Sequence, residues 1–212
     1  MMNKQPRIIG LTGGIATGKT TVSNYLTQHY KLPVLDADIY AKEAVSRDSS
    51  ILKKIFARYG DRVKLADGNL NRSVLGDIIF TNSAEKLWLE SKIHPVVRDR
   101  FISEAQKLDH PTMIFSIPLL FEAKLTHLVT EIWVVSCDRN NQLSRLQQRN
   151  NLTLQQAQSR IASQLPLSEK IAQADVVLEN NSTLETLYQR IDHLSSYSLP
   201  ITHQILSNIF FY

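Results

Sequence analysis

The sequence predicts an α/β fold in which a parallel five-stranded sheet is covered by helices. Five short apolar runs, each bounded by turn residues, alternate with stretches of helical period along the 212 residues. Thr112–Ile117 and Ile132–Ser136 are continuous apolar runs, which is typical of parallel strands that are buried on both faces. Strands that alternate with helices imply right-handed crossovers and therefore a parallel sheet.

The elements follow one another in a regular order. They are a strand at Arg7–Thr12, a helix at Lys19–His29, a strand at Pro33–Leu35, helical segments at Ile39–Tyr59 and Arg72–Lys107, strands at Thr112–Ile117 and Ile132–Ser136, helices at Arg139–Gln148 and Leu152–Ala162, a strand at Val176–Leu178 and a helix at Leu184–Leu194. The long helical stretch is interrupted near Gly60–Asn71 and at Pro95. It is too long for a simple crossover, so we interpret it as an inserted helical subdomain.

Composition is that of an ordinary globular protein, with 43% apolar and 21% charged residues. The single cysteine, Cys137, has no partner for an internal disulfide, which fits a reducing cytoplasm. A net charge of +4 is compatible with an anionic small molecule. Lys and Arg form no long run, so nucleic acid is not expected as a partner, and no apolar window is long enough to span a membrane. The apolar tail Ile205–Tyr212 is expected to pack back on the domain, or else to contact a partner.

The strongest motif is a phosphate-binding loop at Gly13–Thr20, which matches G-x-x-x-x-G-K-[ST]. Glycines let successive backbone N–H groups point at phosphate oxygens, and the following helix adds the positive end of its dipole. Lys19 supplies a cation for the β- and γ-phosphates, and the Thr20 hydroxyl suits Mg²⁺. The motif lies between an apolar strand and an amphipathic helix, as its mechanism requires, so a chance match is disfavoured.

Two aspartates follow the second predicted strand, at the sheet edge where open α/β sheets bind ligands. A carboxylate there could accept a proton from a substrate hydroxyl during phosphoryl transfer. An Asp at the start of a helix is equally well explained as an N-cap. We assign Asp36 to the cap or turn, and the sequence leaves Asp38 evenly divided between the two roles.

Polar and basic side chains recur at helical spacing between Gln142 and Gln164. Gln142, Arg145 and Arg149 share one helix face, and Arg160 and Gln164 are spaced to share another. Such cations could close over the transferring phosphoryl group and exclude water, or they could form a solvated surface.

In the middle of the chain, Asn71 suits an N-cap. Arg72 is either a phosphate contact or a surface arginine, and His94 is expected to be mainly structural. The Ile117–Glu122 turn either lines a substrate pocket or caps the core.

Several motifs, in order, resemble those of dephospho-coenzyme A kinases from Ile8 to about Ile191. They are LTGGIATGKT (Leu11–Thr20), VLDAD (Val34–Asp38), LNR (Leu70–Arg72), KIHPVV (Lys92–Val97), IPLLFE (Ile117–Glu122), QLSRLQQRN (Gln142–Asn150), RIASQ (Arg160–Gln164) and ADVVLENN (Ala174–Asn181). Beyond the phosphate loop each motif is weak alone, but their common order and spacing are specific. The resemblance implies transfer of the ATP γ-phosphate to the ribose 3′-hydroxyl of dephospho-CoA, the last step of coenzyme A synthesis.

The resemblance also implies how the chain is divided and which residues act. The core is expected at 1–40, 110–148 and 166–212, a CoA-binding helical insertion at about 41–109 and a lid at about 149–165. The expected catalytic residues are Asp38 as base, Lys19 and Arg145. The expected ATP contacts are Gly14, Ala16, Thr17, Gly18, Lys19, Thr20, Thr21, Arg145, Arg149 and Asn180, with Thr20 on Mg²⁺. The expected acceptor contacts are Thr12, Asp38, Arg72, His94, Leu119 and Leu120. ATP and dephospho-CoA are the expected small-molecule partners, and the chain is expected to be a monomer or a weak homo-oligomer.

Two residues depart from the family pattern. Ala16 stands where members commonly have Gly, so it would be strained if that position needs a positive φ. Ser116 precedes IPLLFE where many members have Asp, so a metal-shell role for that position has no support here.

Two rival functions share some of these features. Another small-molecule kinase, for a nucleoside, nucleotide or shikimate-like acceptor, would have the same loop and lid and differ in the inserted subdomain. A non-enzymatic ATP-binding regulatory module would need no base near the γ-phosphate, so Asp38 disfavours it. The chain has no N/T-K-x-D motif for reading guanine, which disfavours a GTPase.

Overall fold

The structure, a computed structural model, describes residues 6–198, with side chains described up to Leu194. The apolar segment Ile205–Tyr212 lies outside the described residues. The strands are β1 Arg7–Gly13, β2 Val34–Asp36, β3 Thr112–Ser116, β4 Glu131–Ser136 and β5 Val176–Glu179. The α-helices are α1 Lys19–Tyr30, α2 Ala37–Ala44, α3 Ser50–Tyr59, α4 Arg72–Thr81, α5 Ser83–Leu108, α6 Arg139–Asn150, α7 Leu154–Ala162, α8 Leu167–Ile171 and α9 Leu184–Ser198. Short 3₁₀ turns cover Gly60–Val63 and Thr126–Leu128.

The five strands form one sheet in the order β2-β3-β1-β4-β5. β1 is central and pairs in parallel with β3 and β4, so that Leu11 lies between Ser116 and Trp133. β5 pairs in parallel with β4 at the far edge. The predicted parallel five-stranded α/β sheet is therefore confirmed. Because the strands are parallel, the segments that follow β1, β3, β4 and β5 leave the sheet at one edge, where ligands bind in such folds.

An apolar cluster built on β1, β3 and β4 forms the core of the sheet-containing unit. Ile9 and Leu11 of β1 are fully buried in it, together with Val22 and Leu26 from α1. Ile191 of α9 closes the same cluster. Val22 and Leu26 are four residues apart, so one apolar stripe of α1 packs against the sheet. This packing holds the start of α1 directly after the end of β1.

Contact density divides the chain into two compact units. One contains residues up to Leu35 and from Asp109 onward, and the other is Asp36–Leu108. The second unit has its own apolar core, which includes Ile51, Ile55 and Leu89 from α3 and α5. Its long helix α5 packs against α2, α3 and α4. A core of its own is what an inserted subdomain requires to fold within a larger chain.

Helix boundaries in this second unit differ from the sequence prediction. The predicted helix at Ile39–Tyr59 is two helices, because the chain turns between Ala44 and Ser50, where Ser49 caps α3 by accepting from the Leu52 N–H. The predicted break at Pro95 is wrong, because α5 runs through it. Proline removes one helical hydrogen bond, but packing of α5 against α2, α3 and α4 outweighs that local loss. The break falls instead at Asn82.

Among residues 6–198, no helix combines the length and the apolar content needed to cross a bilayer.

A charge cluster joins α3 to α5. The Arg58 guanidinium donates to both carboxylate oxygens of Glu85, at 2.7 and 2.9 Å, and lies 4.5 Å from the Trp88 ring. The Tyr59 hydroxyl donates to the same carboxylate. The hydrogen bonds from Arg58 and Tyr59 lower the pKa of Glu85 from its ordinary 4.5 to about 2. The cluster therefore favours the charged carboxylate in the folded chain.

We expect Glu85→Gln to lower the free energy of unfolding at neutral pH. A carboxyl whose folded pKa is depressed stabilises the fold above its unfolded pKa, and that contribution is lost as pH falls through the folded pKa. The difference between wild type and variant should therefore shrink between pH 4.5 and about 2. Urea unfolding across this range measures it, with Glu90→Gln on the same helix as control, since its 3.9 Å contact with Lys86 is weak. A difference that stays constant with pH would contradict the assignment.

Candidate active site

The phosphate loop follows β1 without interruption and leads into α1. The Thr17 hydroxyl and the Thr17 N–H both donate to the carbonyl of Gly14, at 2.9 and 3.3 Å, which closes the loop on itself. Ala16 has a φ of 62° and Gly18 a φ of 107°, both in the left-handed region. The strain expected at Ala16 from the sequence is therefore present. Left-handed residues turn successive N–H groups to one side, which creates a concave anion site at the start of α1.

Position 18 requires glycine for two reasons: its φ is positive, and a side chain would not fit there. A Cβ atom at this position would lie 2.2 Å from Nδ2 of Asn180, which crosses the loop there. Asn180 is buried and its Nδ2 donates to the carbonyl of Thr17 at 2.9 Å. The segment after β5 thus packs directly on the loop at the edge of the sheet.

Arg145 of α6 reaches the same place from another element. Its Nη2 donates to the carbonyl of Asn180 at 3.0 Å. Its Nη1 is buried and has no hydrogen-bond partner among the residues that the structure describes. A buried guanidinium N–H without an acceptor is costly, and a phosphate or purine group would provide one. The structure brings Arg145 and Asn180 together with the loop.

Lys19 is the first residue of α1, and its Nζ donates to Oγ of Ser116 at 2.6 Å. Ser116 ends β3, the strand next to β1, so neighbouring strands of the sheet place the two groups side by side. Serine is neutral, so this contact orients the lysine without neutralising its charge. Ser116, the second departure from the family pattern, therefore holds the loop lysine.

The segment between α6 and α8 contains the predicted lid. The chain turns at Asn151, which is left-handed, and α7 begins with a capping box formed by Thr153 and Gln156. Arg149 is exposed and bonds Asn150, and Arg160 is also exposed. Neither arginine has a hydrogen bond to the loop among the residues that the structure describes, so their closure over phosphate stays a prediction.

The spacing of Arg160 and Gln164 predicted that they share a helix face, and this prediction is wrong. The reason is that α7 ends at Ala162, after which the chain turns. The Gln164 side chain instead accepts from the N–H of Ile15 in the phosphate loop, at 2.8 Å. Gln142 of α6 donates to the carbonyl of the same residue, also at 2.8 Å.

The second unit contains Asp38 and a pocket of its own. Asp36 caps α2 by accepting from the Asp38 N–H at 2.8 Å, which confirms its predicted role. Asp38 is exposed in the first turn of α2. It lines a pocket of about 310 Å³ together with two basic residues, Lys42 and Arg72. The other lining residues are mostly apolar: Ala41, Val45, Leu70, Leu75, Gly76, Ile79, Leu89 and Ile93.

Arg72 is exposed at the start of α4, after the predicted N-cap Asn71, whose side chain accepts from the Val74 N–H. Arg72 Nη2 donates to the carbonyl of Lys42 at 3.4 Å, which brings the two cations to the same rim. His94 is half-buried in α5 and does not line this pocket. The structure thus groups Asp38 and Arg72 around one pocket and leaves His94 outside it.

Comparison with known proteins identifies the family. The sequence matches the family described as dephospho-CoA kinase over residues 7–186. A dephospho-CoA kinase of Trichormus variabilis is 58% identical over 91% of this chain and 98% of its own length. The chain belongs to the dephospho-CoA kinase family. The predicted family and the predicted enzyme class, a phosphotransferase, are confirmed.

Solved structures agree with this assignment. A crystal structure from Thermus thermophilus superposes with a TM-score of 0.79 at 30% identity, covering 93% of this chain and all of the other. The dephospho-CoA kinase of Campylobacter jejuni has a TM-score of 0.68 at 26% identity, covering 92% of this chain and 98% of the other. Membership of the dephospho-CoA kinase family implies ATP as phosphoryl donor and dephospho-CoA as acceptor, as the sequence predicted.

Two of the predicted acceptor contacts, Thr12 and Leu120, are fully buried, and Leu119 is half-buried. The Thr12 hydroxyl donates to the carbonyl of Pro118, which also accepts from the buried Lys170 at 3.2 Å. Thr12 therefore supports the turn after β3. Contact of these three residues with the acceptor stays a prediction.

Two polar residues of the kinase were not recognised from the sequence. Lys170 of α8 is fully buried and pairs with Glu122 at 2.8 Å, and a buried lysine cannot be told from a surface one by spacing. Lys42 lies one helical turn after Asp38, and that spacing was a usable signal for a cation on the same face.

Proposed function

We propose that this chain transfers the γ-phosphoryl group of ATP to the ribose 3′-hydroxyl of dephospho-CoA, which yields coenzyme A and ADP. The observation that carries the proposal is a complete phosphate loop in a member of this family, with Lys19 and Arg145 converging on it. We further propose that the reaction takes place in the cytoplasm and that a monomer or a weak homo-oligomer suffices.

ATP is held by the loop between β1 and α1. The backbone N–H groups from Ala16 to Thr21 donate to the phosphate oxygens, and the N-terminus of α1 adds its dipole. Lys19 neutralises charge that develops on the transferring group. The unpaired Nη1 of Arg145 donates to the nucleotide, beside Asn180, which borders the adenine.

Mg²⁺ fits the start of α1, where Thr20 is exposed and carries a hydroxyl oxygen of the kind that hard cations prefer. When bound, the ion would neutralise the β- and γ-phosphate oxygens. Among the described residues, no group of three or more His, Cys, Asp or Glu side chains could hold a metal ion, so the phosphates themselves would complete the coordination.

Asp38 acts as the general base. Its carboxylate is exposed in the first turn of α2, and the bond from its own N–H to Asp36 fixes the backbone there. The carboxylate accepts the proton of the 3′-hydroxyl as that oxygen forms its bond to the γ-phosphorus. The bond from the γ-phosphorus to the bridging oxygen breaks, and ADP leaves with its electron pair.

The pocket beside Asp38 binds the acceptor. Lys42 and Arg72 at its rim match the diphosphate of dephospho-CoA, and the apolar wall formed by residues such as Leu75 and Ile79 matches the pantetheine arm. An acceptor seated in this way brings a ribose to the rim, where Asp38 lies. The exposed arginines Arg149 and Arg160 then close over the phosphates as part of the lid at about 149–165, which keeps water from acting as acceptor.

The first test is direct. Purified protein with Mg·ATP and dephospho-CoA should form coenzyme A, detected by mass. Lys19→Ala should reduce turnover by about 10²–10³-fold, because one preorganised charge on the transferring group is lost. Lys31→Ala, an exposed lysine at the end of the same helix, is the control. ATP binding without coenzyme A formation by the wild type would refute the acceptor, and the insertion should then be screened against nucleosides and shikimate-like acids.

Replacement of the base should separate catalysis from binding. Asp38→Asn is expected to reduce kcat by about 10²-fold or more while ATP still binds, because the amide cannot take a proton. Asp36→Asn is the matched control, since Asn caps a helix as well as Asp does. Wild-type turnover by Asp38→Asn would remove Asp38 from the base role.

The acceptor pocket can be filled from Gly76 of α4. A Cβ atom there would have no neighbour within 4 Å, so a larger side chain can be accommodated by the fold. Gly76→Leu should raise the KM for dephospho-CoA about tenfold or more, a loss of ~1.4 kcal/mol in acceptor binding, and leave the Kd for ATP unchanged. Gly76→Ala should raise it less and stabilise the helix by about 0.5–1 kcal/mol. An unchanged KM in the leucine variant would exclude this pocket.

A further inference from the structure

Ala16 has a backbone conformation that its side chain disfavours. At a φ of 62°, the Cβ atom of an L-residue crowds the carbonyl oxygen that follows it. Compared with glycine, this lowers the population of the conformation by a factor of about 5 to 30. A strained residue of this kind persists only where its surroundings determine the backbone around it.

Hydrogen bonds hold the peptide planes on both sides of Ala16. The preceding plane is held by Gln142, whose Nε2 donates to the carbonyl of Ile15 at 2.8 Å. The following plane is held by the bond from the Thr17 N–H to the carbonyl of Gly14, at 3.3 Å. The φ and ψ of Ala16 together relate these two planes, so fixing both planes restricts the φ that Ala16 can adopt.

Gln164 holds the next peptide toward β1. Its Oε1 accepts from the Ile15 N–H at 2.8 Å. Ile15 therefore has both of its backbone groups bonded to glutamine side chains, one from α6 and one from the turn after α7. These are tertiary contacts from outside the loop.

The fit of Gln142 shows that the contact is built into the loop. The residue is 3% exposed, and a Cβ atom at Gly14 would lie 2.7 Å from its Nε2. A side chain at position 14 would therefore displace the glutamine from the loop. Gly14 leaves the space through which Gln142 reaches the carbonyl of Ile15.

We propose that Gln142 and Gln164 are positioning residues that keep Ala16 left-handed and so maintain the phosphate loop in its ATP-binding shape. The inference rests on the proposed binding of ATP by this loop. It assigns to this chain a specific compensation for alanine: a glycine at position 16 would adopt the same angle without help, and alanine depends on the two glutamines.

The test is a double-mutant cycle that joins position 16 to each glutamine. Gln142→Leu and Gln164→Leu remove the side-chain hydrogen bonds and keep a similar side-chain volume. Each is made in the wild-type chain and in an Ala16→Gly background, and the Kd for Mg·ATP and kcat are measured for all variants. Gln148→Leu is the control, because Gln148 is exposed on α6 and bonds only Ser144 among the described residues.

In the wild-type background, each leucine variant should weaken Mg·ATP binding by about 5- to 30-fold, because the loop relaxes toward negative φ at Ala16. In the Ala16→Gly background, the same substitution should change the Kd for Mg·ATP by no more than about twofold. Equal losses in both backgrounds would overturn the proposal, as would no loss in either. Thermal unfolding of each variant monitors the fold, since a purely structural role of the glutamines would lower stability equally with alanine or glycine at position 16.

The outcomes also separate this inference from the proposed function. If the wild-type chain fails to bind Mg·ATP, the proposed function fails before the glutamines are tested. If it binds Mg·ATP and forms coenzyme A while the cycle shows no coupling, only the positioning role is lost.

Discussion

An anion site made of backbone N–H groups needs a loop that turns against the preference of L-amino acids, and much of the sheet-containing unit can be understood from that constraint. The left-handed angle at Ala16 is unfavourable unless neighbouring elements impose it, whereas Gly18 adopts its own without a steric penalty. β1 and α1 anchor the two ends of the loop through a core that includes Ile9 and Val22. Side chains from α6, from the turn after α7 and from the segment after β5 then hold its middle.

The same edge of the sheet gathers groups that are distant in the chain. Lys19 after β1 meets Ser116 at the end of β3, and Asn180 after β5 meets Arg145 from α6. Parallel strands make this possible, because all of their carboxyl ends lie at one edge of the sheet. Each crossover leads the chain to the start of another strand, which ends at that same edge. The fully buried Lys170 pairs with the exposed Glu122 and supports the turn after β3 by donating to the carbonyl of Pro118.

The Asp36–Leu108 unit adds a separate chemistry. Its helices enclose their own core, and the pocket beside Asp38 joins an apolar wall to two cations. A pocket of this composition suits an acceptor that is partly phosphate and partly alkyl amide. A family can keep its phosphate loop and alter acceptor choice by changing such a unit, since the two parts have separate cores.

The five strands, the phosphate loop, the family and the caps at Asp36 and Asn71 could be predicted from the amino-acid sequence, because they depend on local pattern: apolar runs, glycine spacing and short-range hydrogen bonds. Three other features could not: α5 continues through Pro95, Thr12 and Leu120 are fully buried, and Gln164 lies beyond the end of α7 and bonds Ile15. Each of these depends on packing between segments that are distant in the chain. Periodicity reports which face a residue occupies, and it carries no information about what lies opposite that face.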